Sequence, residues 1–182
     1  MRIGLLTDTH TPGAMRTLFD EVGTVFQGMD LILHGGDITS PSVLDWLERI
    51  APVIAAQGNN DIGWKDPRMQ PVHVLDLEGW RLGLIHDLEP EDRPITELRG
   101  YFPSHVDIMV CGHTHFERLD YREGVLQLNS GSAIHPHQFS ARLGTVGILE
   151  LSPGKIEARI VRIGETPAMR NPGVEYAFKL GS

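Results

Sequence analysis

The sequence predicts an α/β fold with a parallel first half and a hairpin-rich second half. Three apolar runs without alternation, at residues 3–7, 31–33 and 53–56, read as strands covered on both faces, as in parallel sheets. Two stretches of helical period separate them, giving strand, helix, strand, helix, strand and hence right-handed parallel crossovers. Further along, Glu78-Gly79, Glu123-Gly124 and Pro153-Gly154 each split a pair of apolar runs, which marks hairpins.

Each element carries its own signal. After Pro12-Gly13, the apolar residues Ala14, Met15, Leu18, Phe19 and Val22 recur at helical spacing and predict a helix that stops at Gly23. The strand at 31–33 leads into His34-Gly35-Gly36-Asp37. The second helix is punctuated by Ser40 as N-cap and Pro41 at its first position. Its inner face is Val43, Leu44, Leu47 and Ile50, and Pro52 lies just past its end. The strand at 53–56 runs into Gly58-Asn59-Asn60-Asp61. Residues 63–71 are polar and carry prolines, which predicts a loop or short helix. The runs at 72–77 and 80–85 form a hairpin ending at His86, and the acidic, proline-bearing stretch 87–94 reads as a solvated loop. A short helix at 95–102 precedes a strand at 106–111. A second hairpin pairs 116–121 with 125–128, followed by the small-residue turn Asn129-Ser130-Gly131-Ser132 and a loop with His135 and His137. A final antiparallel pair spans 146–151 and 156–163. One domain over 1–163 is expected, with 164–182, which has no sustained period, as a C-terminal tail.

Composition narrows the function classes. The formal net charge of -8 argues against a general nucleic-acid surface, which would be basic. A single cysteine, Cys111, excludes an intrachain disulfide and a cysteine zinc cage, and fits a reducing compartment. No apolar stretch approaches the roughly 20 residues needed to cross a bilayer, and the first apolar run ends at Asp8, too early for a signal peptide. The expectation is a cytoplasmic protein without membrane attachment.

The predicted strand ends deliver a set of metal-ligating side chains. Asp8 and His10 stand one residue apart, as do His113 and His115. In an extended chain side chains two apart point to one side, so each pair is expected to face one point. With Asp37, Asn59 and His86 they make seven oxygen and nitrogen donors without sulfur. Such a set suits hard or borderline divalent ions and is too large for one tetrahedral ion. Two metals are the economical reading, and with Asp37 shared between them they would sit about 3.5–4 Å apart. Two divalent ions against Asp8 and Asp37 leave a positive pocket in an acidic protein, which would draw a phosphate ester.

The ordered motifs Asp8-x-His10, Gly36-Asp37, Gly58-Asn59-x-Asp61, His86 and Gly112-His113-Thr114-His115 resemble those of the calcineurin-like metallophosphoesterases. The length and the Asn129-Ser130-Gly131-Ser132 turn look most like the small prokaryotic phosphodiesterase branch. The resemblance implies a four-layer sandwich of two mixed β-sheets flanked by helices. It implies Asp8, His10 and His115 on one metal, Asn59, His86 and His113 on the other, and Asp37 bridging both, with manganese the first candidate and iron, zinc, nickel or cobalt also fitting. It further implies phosphodiester cleavage by a metal-bridging hydroxide. The alternatives are a phosphomonoesterase or a non-catalytic metal-binding scaffold of the same fold.

The chain departs from the family pattern at three places. Asn60 stands where many members have a histidine that protonates the leaving alkoxide, and asparagine cannot titrate, so Asp61 loses the group it would orient. Asp37-Ile38-Thr39 lacks the Asp-Arg-Gly continuation of protein phosphatases. Asp87 replaces the glycine usual after His86. Around the ligands, His34 reads as orienting Asp37 or lining the pocket, and Asn129 as a turn residue or substrate contact. His135 and His137 read equally as a polar loop and as substrate-facing groups. The substrate expected is a phosphate-ester small molecule or a nucleotide-like compound, and exposed sheet edges would permit a homo-oligomer.

Overall fold

In the computed structural model, residues 1–10, 19–139, 143–165 and 170–181 are described. Twelve strands form two mixed sheets. The larger is ordered β12-β11-β10-β1-β2-β3-β4 and the smaller β5-β6-β7-β9-β8. The first three strands are β1 (Arg2–Leu6), β2 (Leu31–His34) and β3 (Val53–Ala56), parallel neighbours at the middle of the large sheet. They are joined through α1 (Phe19–Val25) and α2 (Pro41–Glu48). Strands β10 (Thr145–Ser152) and β11 (Lys155–Arg162) extend the sheet antiparallel beside β1. In the small sheet, β6 (Trp80–Ile85), β7 (Ile108–Cys111) and β9 (Val125–Ser130) run parallel. The hairpin partners β5 (Val72–Leu77) and β8 (Glu117–Arg122) flank them.

The absence of alternation in the first strands has its cause in the layering. Ile3 and Leu5 of β1 face the small sheet, where they pack with Leu33, Leu84, Val110 and Leu128. Leu6 turns the other way, into a core with Val22 and Phe26 of the α1 side and Val43, Leu44 and Leu47 of α2. Gly4 leaves the space that Phe26 fills, since a Cβ there would sit 3.0 Å from its ring. A third core beneath the outer face of the small sheet joins Leu98 of α3 (Ile95–Leu98) to Phe102, Met109 and Val125. The result is helix, sheet, sheet, helix, the four-layer sandwich expected. Each fully buried Leu or Ile contributes about 1.5–3 kcal/mol, so the inter-sheet core clamps the two sheets face to face.

Several expectations need correction. α1 does not stop at Gly23 but continues to Val25. Gly23 is a packing glycine, because a Cβ there would lie 3.2 Å from the Trp46 ring. The start of the expected helix, residues 11–18, lies outside the described residues. Ser40 precedes α2, but its hydroxyl bonds Ser42 Oγ at 2.8 Å rather than capping the backbone. The stretch read as a loop or short helix contains a two-residue strand, β4 (Met69–Gln70), parallel to β3. The tail contributes an edge strand, β12 (Tyr176–Leu180), antiparallel to β11. The Glu-Gly turns behave as expected, with Glu78, Gly79, Glu123 and Gly124 all at positive φ, the geometry of tight two-residue hairpins. Among the described residues, no helix is long and apolar enough to cross a membrane.

Candidate metal centre

The parallel strands of both sheets end on one side of the molecule, where ligands bind in sheets of this kind. β1 delivers Asp8 and His10, β2 Asp37, β3 Asn59, β6 His86, and β7 His113 and His115. These residues lie past the strand ends, and five of the seven are left-handed: Asp8, His10, Asp37, His113 and His115 have φ between 36° and 71°. A non-glycine residue held there costs roughly 1–3 kcal/mol. The paired ligands therefore do not converge by strand alternation, as the spacing suggested. The chain turns sharply at each, and His113 and His115 aim at opposite sides of the cavity.

The turns are wedged against one another. Gly58 packs so closely on the Asp37 loop that a Cβ would collide with the Asp37 backbone nitrogen and carboxylate. Gly112 likewise seats on the Thr7 side chain. Asp61 is buried, and its carboxylate accepts the N–H groups of Ile38 (2.9 Å), Thr39 (2.8 Å) and Gly58 (2.9 Å). It ties the Asp37 and Asn59 loops together.

The seven donors form two groups around Asp37. On one side, Asp8 Oδ1 lies 3.6 Å from His115 Nε2 and 3.9 Å from His10 Nε2. On the other, His86 Nε2 and His113 Nδ1 each lie 3.1 Å from Asn59 Oδ1. Asp37 turns Oδ2 toward His10 (3.4 Å) and Oδ1 toward His86 (3.6 Å), one oxygen to each group. Asn60 fixes this carboxylate, its backbone N–H donating to Oδ1 (2.8 Å) and its amide to Oδ2 (2.6 Å).

The outer ring nitrogens set the tautomers. His86 Nδ1–H donates to Gly35 O (2.7 Å) and His115 Nδ1–H to His135 O (2.8 Å), leaving both Nε2 atoms bare toward the cavity. His113 presents Nδ1 inward, while its Nε2 faces Glu89 (3.5 Å) and Asp87 (4.0 Å). Asp8 Oδ2 accepts the Thr7 hydroxyl (2.7 Å) and His113 N–H (2.9 Å). Its Oδ1 is buried without a hydrogen-bond partner among the described residues.

Burial pushes the Asp8 carboxyl up to about 6, partly opposed by His86 and Thr7. At Asp37 burial pushes the same way, but the two Asn60 hydrogen bonds with His86 and His10 outweigh it and hold the carboxyl below its ordinary value. Burial lowers His10, His115 and His135, keeping them neutral and able to ligate. A buried orphan carboxylate oxygen beside bare imidazole nitrogens fits a divalent cation. Asp8 with His10 and His115, and Asp8 with Asp37 and His86, each bring ligand atoms within 4.8 Å of one another.

The remaining predicted residues divide. His135 lines the cavity, of about 520 Å³, together with His10, Asp37, Asn59, Asn60, His113, His115 and Gln138. His137 turns away to Glu117 Oε2 (2.6 Å). His34 does not touch Asp37. Its Nδ1 accepts the Gly36 N–H (3.1 Å) and its Nε2 bonds the Thr9 hydroxyl (3.1 Å), and complete burial depresses it to about 3. Asn129 donates to Gly112 O (2.8 Å), Thr114 Oγ1 (3.1 Å) and Glu91 Oε1 (2.8 Å), bracing the His113–His115 turn from below. Glu91 thus leaves the solvated loop expected at 87–94 and turns inward. Sequence reasoning missed both Glu91 and Gln138. Nothing in an acidic stretch separates the one carboxylate that turns inward, and Gln138 follows from the backbone of the His135 loop.

Comparison with known proteins decides the family. Residues 1–154 match the model of the calcineurin-like phosphoesterase superfamily domain. The chain belongs to this superfamily. A probable metallophosphoesterase of Methanothermobacter thermautotrophicus is 35 % identical over 168 residues, covering 90 % of this chain and 94 % of that one. Another from Methanocaldococcus jannaschii is 34 % identical over 169 residues, covering 91 % and 83 %. Among solved structures, Vacuolar Protein Sorting 29 of Cryptosporidium parvum shares the calcineurin-like fold. Its TM-score is 0.76 over 98 % of this chain and 95 % of that one, at 19 % identity. The superfamily is one of metal-dependent phosphoesterases, and the cluster described above offers groups that could hold a metal ion.

Proposed function

We propose that this phosphoesterase works with two divalent metal ions and cleaves phosphodiesters. The observation that carries the reading is Asp37, buried between the two donor groups with one oxygen turned to each. Asp8, His10 and His115 would hold one ion, Asn59, His86 and His113 the other, and Asp37 both. When bound, such a pair supplies a water nucleophile at neutral pH and positive charge for the phosphoryl oxygens. Manganese is the first candidate, and iron, zinc, nickel and cobalt fit the same donors.

The chain's own residues do the rest. Asn60 and Asp61 hold Asp37 and its loop in place, a positioning role for both. Asn60 spends its amide on Asp37 and has no proton to give, so the departing oxygen leaves with help only from water or from His135, the neutral imidazole on the cavity wall. Substrates with good leaving groups, such as aryl diesters, are favoured. The lone buried Cys111 and the acidic charge support a cytoplasmic setting.

The test is hydrolysis of bis-p-nitrophenyl phosphate and p-nitrophenyl phosphate by metal-stripped protein, with manganese or other divalent ions restored and Asp37→Ala as control. Metal-dependent turnover that favours the diester and disappears in the control is expected. Preference for the monoester would reassign the enzyme to phosphomonoesterases. Two bound ions without turnover of either ester would make it a metal-binding scaffold.

A further inference from the structure

Two large aromatic residues stand exposed on the loops bordering the cavity, Phe116 at 50 % and Phe139 at 48 %. Phe116 immediately follows the ligand His115 and is backed by His137, the rings stacking with centroids 4.6 Å apart and planes 16° off parallel. His137 is itself anchored. Its Nε2 donates to Glu117 Oε2 (2.6 Å), whose side chain is buried and whose Oε1 accepts the Thr145 hydroxyl (2.8 Å). Its backbone N–H donates to His115 O (3.1 Å). Gln138 then donates its amide to Thr114 O (3.3 Å) and lines the cavity.

This is an expensive arrangement for a surface ring. His137 and Gln138 both sit at positive φ, 51° and 65°, and a buried glutamate is committed to one imidazole. The ring that it steadies has half of its surface open. Solvent alone gives no reason to hold a phenylalanine flat at that point, whereas a planar ligand does. A half-exposed ring steadied from behind, and next in sequence to the cavity residue His115, suits a base-stacking platform.

We propose that Phe116, backed by His137, is a stacking platform for a planar aromatic group of the substrate, either an aryl group esterified to the phosphate in the cavity or a nucleobase carried on the esterified sugar. The proposal rests on the phosphoesterase reading of the metal centre. In its aryl-ester form it also agrees with Asn60, because a phenolate is the good leaving group that the missing acid requires.

The experiment is calorimetric binding of adenosine 5′-monophosphate and of ribose 5-phosphate to the manganese-loaded protein, in wild type, Phe116→Leu and Phe116→Trp. Stacking of a base on an aromatic ring predicts that the nucleotide binds about tenfold more tightly than the sugar phosphate in wild type. The preference falls to about one in Phe116→Leu and returns in Phe116→Trp, with ribose 5-phosphate affinity unchanged in all three. Because Phe116 is half exposed, the leucine variant is expected to fold, and its unchanged binding of ribose 5-phosphate verifies this. Equal binding of both ligands to wild type, or a preference that survives Phe116→Leu, overturns the platform and leaves the metal centre standing. Binding of neither ligand overturns the metal-centre reading and the platform with it.

Discussion

The two sides of the candidate metal centre are built from the same kind of strand end but differ in their electrostatic states. The Asp8 side is deeply buried, with Asp8 at 0 % and His115 at 6 % exposure, and holds an ionisable carboxyl whose Oδ1 has no donor. The Asn59 side has no buried carboxylate beyond the shared Asp37, its nearby Asp87 and Glu89 being exposed on the outer side of His113, and Asn59, His86 and His113 already contact one another at 3.1–3.3 Å. Asn59 is exposed and His113 half open. A cation therefore relieves a desolvated charge on one side and merely replaces hydrogen bonds on the other. The Asp8 side should bind first and tightest, and the Asn59 side should exchange.

The sharpest way to break this contrast is Asp8→Asn. It should cost one metal equivalent by elemental analysis and at least about 100-fold in diester hydrolysis. The same change should stabilise the metal-free protein. The Asp8 carboxyl sits near 6 in the fold against an ordinary 3.8, so the native state keeps a proton that the unfolded chain has released. Stability of the metal-free protein thus falls as pH rises from about 4 to about 6, and the full cost, on the order of 1–3 kcal/mol, is present above that. Urea unfolding in chelator at pH 4.5 and 7.5 measures it. Asp8→Asn should be the more stable at pH 7.5 and lose most of the pH slope; a variant weaker than wild type at pH 7.5 would refute the account.

A second change probes the Asn59 side. Asn60→His replaces a non-titrating amide by a group able to protonate a leaving oxygen, worth about 100-fold when well placed. The gain should be confined to esters with poor leaving groups and be reduced by loss of the Asn60 amide bond to Asp37 Oδ2. An estimate of about tenfold for alkyl esters, against no gain for nitrophenyl esters, is reasonable. Rates across a series of aryl and alkyl diesters give the slope against leaving-group pKa. Equal slopes in wild type and variant would show that departure is not limited by the missing acid.

The same physical distinction explains what the sequence made legible. β1, β2 and β3 were readable because both of their faces are buried, so every position but the terminal Arg2 and His34 is apolar or glycine. β4 is two residues long and pairs only because β3 lies beside it, which no local pattern encodes. β12 is an edge strand whose side chains are mostly open, so burial left little signature in its sequence. That the seven candidate donors gather at one place was readable from residue type and spacing. Their aim was not, because it depends on left-handed turns at non-glycine residues, and these are held by long-range bonds such as Asp61 to Ile38 and Thr39. The hydrogen-bond partners of His34 were not legible either: Thr9 is brought to it by the register of β1 and β2, and the Gly36 N–H by the turn that follows β2.

The smallest effect belongs beneath the turn that serves both sides. Glu91 Oε1 accepts from Asn129 Nδ2 (2.8 Å) and from the Cys111 thiol (3.4 Å), and Asn129 in turn braces Gly112 and Thr114. Burial raises the Glu91 carboxyl above its ordinary value, with Asn129, Cys111 and Arg118 opposing. A raised native pKa means that stability is lost as pH climbs from the ordinary glutamate range through the native value, since the unfolded chain releases its proton first. Glu91→Gln keeps the acceptor oxygen that Asn129 and Cys111 use and removes the charge. It should narrow the difference in melting temperature between about pH 4.5 and 7.5, stabilise the protein at the higher pH by less than about 1 kcal/mol, and leave metal stoichiometry at its wild-type value. Glu91→Ala is the contrasting variant, because it removes one of the acceptors that hold the Asn129 amide and should loosen the turn that carries His113 and His115. If Glu91→Gln instead loses metal or stability at pH 7.5 as Glu91→Ala does, the ionised carboxylate itself holds the turn, and the two sides of the centre share a charged support as well as Asp37.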